Sequence, residues 1–179
     1  MRFTVALMAG MLLMGCTNGD TTGGPDTKVP PTTDPTPLSP AITLSSSEGG
    51  LQTGVTAKNF NFSQLRNIWV RVTVPTLTKT TQVNLVFRNP LGEPMYETNV
   101  LYSADPQTTS MMMAGSMAPV AVSLAKHITG GYAIDVAVPV AGTVLTRYPT
   151  SGVGDWTVQA KVDGLDKALM TGMTVAFSN

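Results

Sequence analysis

The chain has 179 residues, enough for one ordinary domain with additional segments. Lys and Arg together number 11, as do Asp and Glu, so the formal net charge is zero. That balance offers neither the clustered basic excess that nucleic-acid binding demands nor a polybasic segment for anionic lipid. Charged residues make up only 12% of the chain, against roughly 25% in an average soluble domain. Thr, Ser, Asn and Gln therefore carry the polar surface, a balance that suits an exported β protein.

In chain order, Arg2 precedes an apolar stretch from Phe3 to Gly15. The stretch is far shorter than the ~20 residues a membrane-spanning helix needs, and it fits the apolar core of a signal peptide. It ends in Leu13-Met14-Gly15-Cys16. These residues resemble the lipobox of bacterial lipoproteins, with Leu at −3, a small residue at −1 and Cys at the cleavage point. Met14 departs from the usual Ala, Ser, Thr or Val at −2. The resemblance implies residues 1–15 as a signal peptide, cleavage before Cys16 and acylation of the Cys16 thiol. Thr17, where an Asp would signal inner-membrane retention, implies sorting to the outer membrane of a Gram-negative cell. Loss of Arg2 with the leader would leave ten basic residues against eleven acidic ones. Cys16 is the only cysteine, so no intramolecular disulfide forms. Each buried methylene of an acyl chain contributes about 0.8 kcal/mol, so two or three chains would hold the protein on the membrane.

Residues 16–40 read as the lipidated cysteine and a linker. From Thr17 to Pro40 there are six prolines, seven threonines and three glycines, with Val29 and Leu38 the sizeable aliphatics. Such a segment cannot bury enough apolar surface to offset its ordering entropy. Extended at about 3.1 Å per residue, it would reach on the order of 60 to 70 Å from a bilayer.

Residues 41–179 are long enough for a real core, and their dominant period is two. Val55 to Phe62 predicts an early strand. Ile68, Val70, Val72 and Val74 form one apolar face, as do Val83, Leu85 and Phe87. Tyr96, Thr98, Val100 and Tyr102 predict a further strand. Ile134, Val136, Val138 and Val140 follow, then Trp156, Val158, Ala160 and Val162, then Met173, Val175 and Phe177. Between Met117 and Ile128 two periods compete: Val120, Ala121, Leu124 and Ile128 lie at helical spacing, whereas Val120, Val122 and Leu124 alternate. The alternation is the favoured reading. Turn signals stand at Asn89-Pro90 with Gly92, Gly130-Gly131, Gly152 with Gly154, and Asp163-Gly164. The pattern predicts an all-β domain, an antiparallel sandwich of seven to eight strands.

Two segments carry a second resemblance. Val83 to Glu93 reads VNLVFRNPLGE and Gly154 to Gly164 reads GDWTVQAKVDG. They resemble the immunoglobulin-like sandwich domains of bacterial surface proteins, macroglobulin-type domains included. There a strand runs into a Pro-x-Gly turn and a later Gly-x-Trp-x-Val strand buries its Trp. The resemblance implies an immunoglobulin-like fold with Trp156 in the core, and it implies architecture rather than activity.

Chemistry-bearing patterns are sparse. A Ser or Cys nucleophile needs a nearby base, yet His127 is the only histidine and no Gly-x-Ser-x-Gly elbow occurs. His127 reads as an exposed or capping residue. Zinc wants three or four His, Cys or carboxylate ligands. Asp163-Gly164-Leu165-Asp166, with Asp155 nearby in sequence, lacks the oxygen spacing of a calcium loop and reads as a turn. Paired carboxylates for hydrolysis would require two acids to meet in space, and nothing in the spacing selects a pair. We therefore expect no enzyme activity, no cofactor and no metal site.

Met111-Met112-Met113-Ala114-Gly115-Ser116-Met117 is the oddest segment. Thioethers suit Cu(I) and also make adaptable contact surfaces. Ordinary packing or a loop is the favoured reading, ahead of a partner-binding or lipid-proximal patch, with copper last. The expected function is an outer-membrane-anchored envelope lipoprotein whose sandwich binds another envelope protein, within a secretion, pilus or motility machine. The alternative is a small-ligand module for carbohydrate or metal, for which Trp69 and Tyr148 would be the aromatics to inspect.

Overall fold

A computed structural model describes residues 36–147 and 153–177; Cys16 and Tyr148 lie outside the described residues. Two β-sheets share one core. The first has four strands, in the order β1 (Ala41–Ser45), β3 (Asn67–Val74), β9 (Gly131–Pro139), β8 (Lys126–Ile128). The second has seven: β2 (Asn59–Asn61), β11 (Leu169–Ala176), β10 (Gly154–Val162), β4 (Thr81–Arg88), β5 (Pro94–Ser103), β7 (Val120–Leu124), β6 (Ser110–Met111). Two short helices, α1 (Glu48–Gln52) and α2 (Val144–Arg147), complete the described elements.

Alternation explains the inner faces. In β3 every second residue is buried, Ile68, Val70, Val72 and Val74. Their cross-strand partners on β9 include Val138, Val136 and Ile134. From the other sheet come Val83, Leu85 and Phe87 on β4 and Trp156, Val158, Ala160 and Val162 on β10. Trp156 is 2% exposed and meets Phe62 edge-to-face at 5.6 Å. Full burial of side chains like these contributes about 1.5–3 kcal/mol each. The sheets are also tied by a hydrogen bond, since the Tyr102 hydroxyl on β5 donates to the Asp135 carbonyl on β9 at 2.6 Å.

Each of the eight expected strands has a counterpart, although the one expected over Val55 to Phe62 is only Asn59–Asn61, and β1, β6 and β8 join them. Pairing is not antiparallel throughout: β2 runs parallel to β11, and β7 parallel to β5. The larger sheet is therefore mixed. Both of its outermost strands are two or three residues long, a length that blunts a sheet edge against pairing with another chain. The segment with competing periods is extended. It leaves the larger sheet after Leu124 and enters the smaller one at Lys126, with Ala125 buried at the crossing. The Ala125 N–H donates to the Ser103 carbonyl at 2.9 Å. A strand that changes sheets cannot keep one inward face, so its apolar residues satisfy neither period throughout.

Close approach dictates the glycine that opens β9. A Cβ on Gly131 would lie 2.3 Å from the Val74 carbonyl oxygen. The last residues of the expected linker touch the same turn, where Leu38 N–H donates to the Gly130 carbonyl at 3.0 Å.

Candidate interaction surface

The outward faces of the two sheets differ. On the four-stranded sheet, Arg71 on β3 faces Asp135 on β9 through the antiparallel register. Its guanidinium grips the carboxylate with two bonds, Nε to Oδ1 at 2.7 Å and Nη2 to Oδ2 at 2.8 Å. Nη1 donates to the Leu51 carbonyl at 2.6 Å, which docks α1 on this face, where Leu51 is buried. Lys126 Nζ reaches Asp135 Oδ2 at 2.9 Å and Glu48 at 3.9 Å. Burial alone would raise the Asp135 pKa. The hydrogen bonds and charges of Arg71 and Lys126 outweigh it and hold the carboxyl below its ordinary value. The bond to Asp135 raises the Arg71 pKa against an opposing effect of burial. Helix and ion cluster thus occupy this face around Arg71 and Asp135.

The outward face of the seven-stranded sheet has two zones. In its centre lie Gln82 and Asn84 on β4, Glu97 and Asn99 on β5, Lys161 on β10 and Asp163 just beyond its end, around a shallow cleft of about 370 Å³. Toward the β7–β6 edge the face turns apolar. Leu101 and Val122 are paired neighbours and are buried, yet they stand apart from the main core because Val100 and Tyr102 take the inward positions of β5. Beyond them, Met111, Met112, Met113, Met117, Val120 and Leu124 are exposed, six of the ten exposed large hydrophobics among the described residues. Met117 is fully exposed, at 103%. A turn closed by Ser116 N–H to the Met113 carbonyl at 3.0 Å, with Gly115 at φ 82°, reverses the chain between β6 and β7. From Pro106 to Ala125, twenty consecutive residues carry no charge.

The residues singled out in the sequence are mostly dispersed. His127 is exposed on β8, its ring edge-on to Tyr132 at 5.3 Å. Asp163 and Asp166 lie in the β10–β11 connection, whereas Asp155 sits at the opposite end of β10 and accepts from Thr174 Oγ1 at 2.8 Å. Among the described residues no group of three or more His, Cys, Asp or Glu could hold a metal ion. Trp69 is half-buried on the outward face of β3, between Ser45 and Ala137. Of the packing or loop expected for the methionine cluster, the structure shows the loop: Met111 ends β6, and Met112, Met113 and Met117 lie exposed between β6 and β7. The cleft residues and the Arg71–Asp135 pair carry no local signal beyond polar positions of alternating strands. No family model matches the chain, and no curated protein matches it in sequence.

Proposed function

We propose that this chain is an outer-membrane lipoprotein, acylated at Cys16, whose immunoglobulin-like sandwich docks against an apolar surface of another envelope protein. The observation that carries the docking half is the charge-free β6–β7 hairpin with its six exposed apolar side chains. Monomeric proteins rarely leave contiguous apolar surface in water without a use for it. Its thioether side chains adapt to irregular partner surfaces, and burying a segment without charges incurs no ionic desolvation. The immunoglobulin-like reading draws support from Trp156 buried in a two-sheet core and from the Asn89–Glu93 turn after β4. The lipobox residues Leu13 to Cys16 support the anchor.

The docking half is tested by placing a photo-crosslinking residue at Met113 in intact cells. The expected result is a discrete crosslinked protein that disappears when Met111, Met112 and Met117 are changed to Ser. Absence of any specific adduct removes the proposal. For the anchor, an alkynyl fatty acid fed to cells should label the native protein, while Cys16→Ser should abolish labelling and release the protein from membranes. A wild-type protein that takes up no label overturns acylation.

A further inference from the structure

The central cleft on the seven-stranded sheet lies apart from the hairpin and has a chemistry of its own. Asn99 Oδ1 accepts from both Gln82 Nε2 at 3.0 Å and Asn84 Nδ2 at 2.9 Å, and Asn84 Nδ2 also donates to Glu97 Oε1 at 2.7 Å. These bonds run across two strands and fix the orientation of every amide. They leave Asn99 Nδ2 with two donors, and Gln82 Oε1 and Asn84 Oδ1 as acceptors. Lys161 and Asp163 line the same cleft, and neither side chain makes an ion pair or hydrogen bond among the described residues.

This set discriminates among ligand classes. An anion would meet two carboxylates against one ammonium. A hard cation needs six to eight oxygens and would meet the Lys161 ammonium. An apolar peptide would find no aliphatic or aromatic side chain in the lining. A hydroxyl group both donates and accepts, so a row of hydroxyls matches alternating amide donors and acceptors. The floor is rigid as well, because β4 is paired along its length, to β10 on one side and β5 on the other. A preorganised floor loses little side-chain entropy on binding.

We propose that this cleft binds a neutral, hydroxyl-rich ligand of the saccharide class, with Asn99 and Lys161 as donors and Gln82, Asn84 and Asp163 as acceptors. The test follows the side-chain amide resonances of Gln82, Asn84 and Asn99 in the full chain, held in detergent. Neutral glucan and N-acetylglucosamine oligomers are titrated in, with inorganic phosphate and calcium chloride as separate arms. Saturable shifts of these resonances with a neutral oligomer are expected. Asn99→Asp, which replaces the two amide donors by a carboxylate of the same shape, should weaken the binding about tenfold, with the backbone spectrum of the rest of the domain retained. Lys161→Ala serves as the second variant and should also weaken it. Saturation by phosphate or calcium alone, no saturation by any neutral oligomer, or full affinity in both variants overturns the proposal.

Discussion

Tyr102 and Asn89 each bury a polar group that finds its hydrogen-bond partners within the fold. Burial first, and the neighbouring Asp135 carboxylate second, push the Tyr102 pKa up to about 12. The folded state therefore holds this proton more tightly than the unfolded chain, whose tyrosine titrates near 10. The resulting stabilisation is full below about pH 10 and is lost between pH 10 and about 12. Thermal melts should show that alkaline loss in the native protein. Tyr102→Phe should be about 1 kcal/mol less stable at pH 7 and lose less on the alkaline side. Asn89, 3% exposed, organises the turn after β4. Its Oδ1 accepts from Leu91 and Glu93 N–H groups at 3.0 and 2.9 Å, and its Nδ2 donates to Glu93 Oε2 at 2.8 Å. Asn89→Ala should cost about 2–3 kcal/mol in denaturant titration, through several lost bonds and unpaired amides. The turn was legible from Asn89-Pro90 and Gly92. The Asn89 side chain as its organiser was not, because its partners are defined only once the turn closes.

At the scale of elements, β9 concentrates the constraints. Gly131 begins the strand against the Val74 carbonyl, so Gly131→Ala should destabilise the domain by about 2 kcal/mol or more through backbone displacement. Urea midpoints would measure it. Farther along, the carboxyl of Asp135 is held below its ordinary value. A depressed folded pKa stabilises above the unfolded value and is lost as pH falls through the folded one, here below about pH 4. Urea midpoints between pH 2 and 7 should fall at the acid end. Asp135→Asn should be about 2 kcal/mol less stable at pH 7 and flatter in acid. The β6–β7 hairpin behaves differently. Replacing Met112, Met113 and Met117 by Ser should leave the urea midpoint within about 0.5 kcal/mol of wild type, because these side chains face water rather than the core.

For the whole molecule, alternation in β3, β4, β9, β10 and β11 was enough to locate the strands and their inward residues. Which neighbour a residue faces is set two positions away along the same chain, so the signal is local. Trp156 as a buried ring and Gly92 as a turn residue were legible for the same reason. The parallel pairings at β2 and β7 were not, since strand direction depends on where distant segments return. The passage of residues 120–128 from one sheet to the other blurred the period there, and only the three-dimensional path explains why. The Arg71–Asp135 pair joins residues 64 positions apart, and the amide row joins β4 to β5; neither leaves a mark beyond polar residues on outward faces. The methionine segment was visible by composition, but its exposure beside the buried Leu101–Val122 pair was not. By itself the chain thus determined its strands, their buried faces and several turns, because local stereochemistry and hydrophobicity act within a few residues. Tertiary structure alone decided strand order, direction and the two zones of the outer face, because those depend on contacts between residues that only folding brings together.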